Sequence, residues 1–416
     1  MKILMMYVSN TYNYGTMMMA ENLITYINKK VGNKIEYYID AATIDHLDRL
    51  KQATKYDNIY ISTDLKVKPP KNKQLGKLTI ISRIKQMNNE ISDKYDYIFV
   101  LGGDDFSEFY MGKTLISKIR NAINILSLKW LNKNNNVILL GQTIGPYTGF
   151  RKIVAKKVFP KIKIYTRDSV NLKVMEDEYK IKAKTSRDLA FLDLCMQEEC
   201  EENKDEILNK YNLQENEYIT IVGTDLLKCY TSDNDCFYKK FVEIIKTVKN
   251  NFPSKKIVWL SHVCTPEPTT SDNTALKYIN EKYDNFINNN MTVIDMPLFP
   301  AEARTILGHG YFTLTCRMHA AVSTFQIGKP AICLSYSPKY KGVISDGLNM
   351  EELVIEAKGD EIWRNDIVKL VNDKIIYIEK NYEDLTNKIK DNVLECKQFV
   401  NNTLDEIVSM MMEGRN

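Results

Sequence analysis

Short β-branched, aromatic and aliphatic runs alternate with helical patterns along almost the whole chain, and this alternation limits the folds open to it. ILMMYVS (residues 3–9) precedes MMMAENLITYINKK, and YDYIFVLGG (95–103) precedes a helical region from Leu115 to Leu131. NVILLGQTIGP (136–146) precedes FRKIVAKKVF, and KIYTRDS (163–169) opens a helix through Met175. After an acidic, polar stretch from Gln197 to Glu217 the pattern resumes with YITIVG, KIVWLSH, TVIDMP, YFTLTC and AICLSY. Strand followed by helix, repeated, predicts parallel sheets covered on both faces, an α/β chain. A length of 416 residues exceeds one ordinary core, and 44% hydrophobic residues suffice for two. The composition break predicts a Rossmann-like domain over 1–200 and a second over 201–375. Residues 376–416 then read as C-terminal helices crossing back to the first domain. No solenoid period or low-complexity tract interrupts this scheme.

Charge and cysteine usage exclude several classes. A net charge of +4 with a pI near 8.4 is too mild to imply nucleic-acid binding, and no duplex-reading motif accompanies it. Eight cysteines without disulfide-framework or zinc-ribbon spacing point to a reducing compartment. The amino-terminal apolar run is too short for a signal peptide, and no stretch approaches the roughly 20 apolar residues that span a bilayer. The expected location is cytoplasmic. Residues 66–85 carry seven Lys or Arg and no acid, which reads as a solvated basic loop or as a contact for anionic lipid at the inner face of the membrane.

In open α/β sheets ligands sit beyond the carboxyl ends of strands. Those segments here are Asn13-Tyr14-Gly15-Thr16, Gly102-Gly103-Asp104-Asp105, Gly141-Gln142-Thr143-Ile144-Gly145-Pro146, Arg167-Asp168-Ser169, and the block from Tyr311 to Gly347. In that block YFTLTC reads as a strand and Met318 to Phe325 as a helix stopped by Gly328 and Pro330. AICL then reads as a second, parallel strand beside the first. Arg317, His319 and Lys339 would leave adjacent strand ends and face one crevice. With the amino end of a helix among them, they make an anion site.

The residues in these segments resemble the polysaccharide pyruvyl transferase family over most of the chain. The resemblance rests on NYG (13–15), GGD (102–104), GQTIGP (141–146), YTRDS (165–169), DLAF (188–191) and, most specifically, CRMHA (316–320), GKP (328–330) and YSPKYKG (336–342). Thr16 stands where many members have Asp, and Ser186-Arg187-Asp188 where Gly-Asp-Pro is common. The family implies two Rossmann-like domains of the GT-B type with an interdomain cleft. It also implies transfer of an enolpyruvyl-derived unit from phosphoenolpyruvate to a sugar as a cyclic ketal. Acceptors in the family belong to cell-wall, capsular or exopolysaccharide synthesis and are often linked to a polyprenyl diphosphate.

Phosphoenolpyruvate carries a carboxylate and a phosphate, so Arg167, Arg317, His319 and Lys339 are the expected donor ligands. Ketal formation protonates the methylene carbon, for which His319 is the candidate general acid, with Arg317 beside it. Asp105 is the candidate base. Asn13, Gly15, Gly103, Asp104, Asp105, Glu108 and Gln142 form the expected acceptor set in the first domain. Asp168 reads as a first-turn carboxylate. No metal or cofactor is expected: His262, Cys264, Cys316 and His319 lack zinc spacing, and Asp104-Asp105 alone is too little for a divalent ion. A nucleotide-sugar glycosyltransferase of the same fold, and a non-catalytic scaffold, are the competing readings.

Overall fold

A computed structural model describes residues 1–32, 34–62, 91, 94–108, 114–266 and 271–414, without the side chain of Asp105. The basic segment 66–85 therefore lies outside the described residues. Two compact units are formed: Met1–Thr11, Met19–Leu189 and Asn401–Asn416 make the first, and Tyr12–Met18 with Ala190–Val400 the second. This differs from a single cut near residue 200. The first turn of the helix Tyr14–Val31 packs with the second unit, and the helix Tyr382–Glu413 contributes residues to both.

The first unit holds a seven-stranded parallel sheet: β1 (Lys2–Met6), β2 (Glu36–Ile39), β3 (Ile59–Ile61), β4 (Tyr97–Ser107), β5 (Asn136–Gly145), β6 (Lys163–Thr166) and β7 (Lys184–Thr185). Its order is β3-β2-β1-β4-β5-β6-β7. The second holds β8 (Tyr218–Val222), β9 (Lys256–Leu260), β10 (Thr292–Ile294), β11 (Thr313–Thr315), β12 (Ala331–Ser335) and β13 (Val354–Glu356), in the order β10-β9-β8-β11-β12-β13. Both orders reverse direction beside the first strand, at β1/β4 and at β8/β11, which is where doubly wound sheets open a crevice.

Continuous burial explains why these strands read as unbroken apolar runs. All five residues of β8 and of β12 are buried, as a sheet with helices on both faces requires. β11 and β12 are parallel neighbours in the register Thr313–Ala331, Leu314–Ile332, Thr315–Cys333. The helix Met318–Gln326 between them buries eight of its nine residues. Near the exit of β4 the pairing with β5 shifts register between Gly103 and Phe106, and Gly103 has φ 153°. Among the described residues no helix is long and apolar enough to cross a membrane.

Candidate functional site

In the second unit, polar side chains gather where β8, β9, β11 and β12 end. A hydroxyl on the last strand residue shapes two of these exits. Thr315 Oγ1 accepts the N–H of Arg317 at 2.8 Å and donates to the Arg317 carbonyl at 3.0 Å. Ser335 Oγ donates to the Ser337 carbonyl at 3.2 Å. Such bonds two residues ahead turn the chain sharply. Arg317 thus immediately precedes the helix Met318–Gln326, His319 sits in its first turn, and Lys339 lies in the turn after β12.

His319 meets Gly15 closely. A Cβ on Gly15 would lie 2.1 Å from His319 Nδ1, so only glycine lets the start of the helix Tyr14–Val31 approach the imidazole. The segment before that helix is docked on the β9 exit. Cys264 N–H donates to the Tyr12 carbonyl at 3.1 Å, Tyr14 N–H to the His262 carbonyl at 3.3 Å, and Asn13 bridges Val263. The Tyr14 ring meets the His262 ring edge-on at 5.1 Å, and its hydroxyl accepts the Leu298 N–H at 2.8 Å. Burial, reinforced by His319, Arg317 and Arg304, pushes His262 well below the ordinary imidazole range. It is a neutral group, unlike a general acid.

Arg317 is held by two carboxylates. Its Nη2 donates to Asp225 Oδ1 and to Asp272 Oδ1, both at 2.5 Å, and Nε reaches Asp272 Oδ1 at 3.1 Å. Asp272 is fully buried and also accepts the N–H groups of His262 (3.1 Å) and Val263 (2.9 Å). Burial raises its pKa, and Arg317 opposes that rise. Burial alone would lower the pKa of Arg317, but Asp272 and Asp225 outweigh it and lock the guanidinium in its charged form.

Three tyrosines complete the floor. Tyr230 donates to the carbonyls of Cys316 and Leu334, both at 2.9 Å, and Tyr340 donates to Cys316 at 2.8 Å, which ties the ends of β11 and β12 together. Lys339 Nζ donates to Tyr336 Oη at 2.8 Å, and Tyr336 lies within electrostatic reach of Arg317. Arg317, His319 and Lys339 thus stand at neighbouring strand ends of one unit, with Gly15 and Asn13 beside them.

Other expected residues fall in the first unit. Arg167, expected with the donor set, lies at the end of β6 and is buried there by its own partners. Nη2 donates to Thr143 Oγ1 at 2.8 Å and to Asp104 Oδ1 at 3.2 Å, and Nη1 stands 3.5 Å from Asp188 Oδ2. Asn13 and Gly15, expected in the acceptor set of the first domain, fall in the second unit, where Asn13 bridges Val263 and Gly15 packs against His319. The tertiary path of one short segment, and the pairing of Arg167 with the buried Asp188 and the partly exposed Asp104, account for these placements. Glu108 is occupied by Thr148 N–H (2.8 Å) and Arg151 (2.9 Å). Gln142 is fully buried; its amide nitrogen donates to the Leu101 carbonyl, while its Oε1 has no hydrogen-bond partner among the described residues. Gly103 adjoins the register shift, and Asp105 is described only as backbone. Asp168 caps the helix Ser169–Lys173, accepting the Asn171 N–H at 2.6 Å.

Sequence reasoning missed Asp225, Asp272, Tyr14 and Tyr230. Asp225 lies two residues beyond YITIVG, after Thr224, so the strand-exit rule that selected the glycine loops would have found it. Asp272 is joined to Arg317 only through the fold. Among the described residues no group of three or more His, Cys, Asp or Glu side chains is placed to hold a metal ion.

A family model described as polysaccharide pyruvyl transferase matches residues 13–338, which include Arg317, His319 and Asp272. No curated protein matches the sequence. Among solved structures, UDP-GlcNAc 2-epimerase from Neisseria meningitidis bound to UDP-GlcNAc superposes with a TM-score of 0.60 at 12% identity, covering 99% of this chain and 100% of that one. MnaA of S. aureus with UDP gives 0.61 at 10% identity, covering 99% and 97%. Anabaena Alr3699/HepE in complex with UDP-glucose gives 0.55 at 9%, covering all of both chains. At these identities the likeness shows the fold alone, two Rossmann-like domains of the GT-B type.

Proposed function

The chain belongs to the polysaccharide pyruvyl transferase family, and from that premise we propose that it transfers a pyruvyl unit from phosphoenolpyruvate to two hydroxyls of a sugar, forming a ketal on a cell-surface polysaccharide precursor. The observation that carries this reading is the juxtaposition of Arg317, His319 and Lys339 at the ends of two parallel neighbouring strands. Guanidinium and ammonium groups suit a ligand bearing both carboxylate and phosphate. His319 is the proton donor to the methylene carbon, which becomes a methyl group as an oxocarbenium-like centre develops. One sugar hydroxyl adds to that centre, and the second displaces phosphate. Each hydroxyl loses its proton, the first toward a carboxylate such as Asp105 and the second to the departing phosphate. Arg167, Glu108 and Gln142 are held or buried by their own partners in the first unit and are assigned no step; Gly103 and Asp104 stay on the acceptor side, and Gly15 is better read as a support of His319. No cofactor or metal is assigned a step. The acceptor is a sugar, free or polyprenyl-diphosphate-linked, and the reaction belongs on the cytoplasmic side.

Incubation with phosphoenolpyruvate and a panel of aryl and lipid-linked glycosides, followed by mass spectrometry, tests the reaction through the added pyruvate unit. His319→Ala should abolish turnover while phosphoenolpyruvate still binds; equal loss of both would make His319 a ligand instead of an acid. The second reading, a nucleotide-sugar glycosyltransferase, draws on the UDP and UDP-sugars bound by the structurally similar proteins. It gains the argument if UDP-glucose raises the melting temperature and phosphoenolpyruvate does not.

A further inference from the structure

Arg317 is the guanidinium at the β11 exit, yet it already carries two carboxylates. One positive and two negative charges leave this cluster net negative, which would repel an anionic donor. The two carboxylates are not equivalent. Asp272 has no exposed side-chain surface, contacts Arg317 through both Nε and Nη2, and is anchored by the N–H groups of His262 and Val263. Asp225 is 23% exposed, sits on the loop after β8, and reaches only Nη2. The guanidinium is its only hydrogen-bond partner among the described residues. Withdrawing Asp272 would strand a buried charge; withdrawing Asp225 returns an accessible carboxylate to water.

We propose that Asp225 is a displaceable counter-ion of Arg317, which holds one face of the guanidinium until the anionic donor takes it. The proposal rests on the reading of this site as the phosphoenolpyruvate site. Asp272 stays in place and keeps the guanidinium charged and oriented. Donor binding exchanges one carboxylate for another on Nη2, so the guanidinium keeps two anionic partners and no bond is left unmade. The exchange also makes Asp225 a selectivity device. A ligand with a carboxylate and a phosphate gains enough from Lys339 and the helix start to displace it, whereas a single carboxylate gains only what Asp225 already supplies. Wild-type protein should therefore bind phosphoenolpyruvate much more tightly than pyruvate.

The test is calorimetric titration of the full chain, wild type, Asp225→Asn and Asp225→Ala, with phosphoenolpyruvate, pyruvate and inorganic phosphate. Far-UV circular dichroism and thermal melting establish that each variant is folded, and the second variant serves if the first is not. Without the competing charge, affinity for phosphoenolpyruvate should rise about tenfold in a folded variant, and pyruvate should gain at least as much. Unchanged or weaker affinity would overturn the proposal, as would a fall in turnover at unaltered affinity, which would make Asp225 part of the chemistry. If neither wild type nor variants bind phosphoenolpyruvate while UDP-glucose binds, the functional reading fails. Inorganic phosphate then still judges the counter-ion, since removing Asp225 must strengthen its binding too.

Discussion

A methyl group placed on Gly15 would penetrate the imidazole of His319, and this contact makes a glycine near the start of the chain part of the environment of the candidate acid. Gly15→Ala raises helix propensity by about 1 kcal/mol, which favours the helix it begins. The side chain of His319 must nevertheless move. The expected outcome is a folded protein whose turnover falls on the order of 100-fold, since displacing a reacting group by about 1 Å costs that much; steady-state kinetics beside a thermal melt separates the two effects. Asp272→Asn acts differently. It removes the buried partner of Arg317, and should cost about 3–5 kcal/mol in urea denaturation, the range for an uncompensated buried charge. A stability equal to wild type would show that Asp225 alone satisfies the guanidinium.

At the scale of elements, the helix Pro300–His309 ends on a charged staple. His309 Nε2 lies 2.7 Å from Glu201 and Nδ1 2.9 Å from Glu215, so both ring nitrogens face carboxylates. A neutral ring could donate to only one, so the geometry calls for imidazolium. Burial alone would lower its pKa, but the bonds to Glu201 and Glu215 outweigh it and raise it. Glu215 is held down to about 2, first by Lys204 and also by His309. A raised histidine contributes stability that is complete below its ordinary value of about 6.5 and lost as pH rises through the folded value. A depressed carboxylate contributes stability above about 4.5 that is lost as pH falls toward 2. The staple is therefore strongest between about pH 4.5 and 6.5. Urea midpoints should fall from about pH 6 to about pH 9 in wild type, and His309→Gln should flatten that slope; parallel slopes would remove His309 from the account. The strand and helix patterns at β8, β11 and β12 were legible because burial on both faces leaves continuous apolar runs. The staple was not, because its three members come from separate segments.

For the whole molecule, the helix Tyr382–Glu413 shows how sequence order and spatial grouping part. Residues 401 onward belong to the first unit, where Leu404, Ile407 and Met411 are fully buried, Asp405 pairs with Lys30 at 2.7 Å, and Glu406 pairs with Lys184 at 2.7 Å. Each apolar side chain contributes about 1.5–3 kcal/mol by burial, against a typical net stability of about 5–15 kcal/mol for a domain. Truncation after Val400 should therefore abolish the first unit's cooperative melting in calorimetry while the second unit's transition remains. A truncated chain that melts like wild type would show those contacts to be dispensable. What the sequence alone determined was the α/β class, the parallel strands, the family and the Arg317-Met318-His319 turn, because each depends on local periodicity or contiguous residues. Tertiary structure alone decided that Tyr12–Met18 joins the second unit beside His319, that Arg167 is held between Asp104 and Asp188, and that Arg317 faces Asp225 and Asp272. Charge compensation and close packing act through space between residues far apart in the chain, and no spacing along it records which partners the fold will choose.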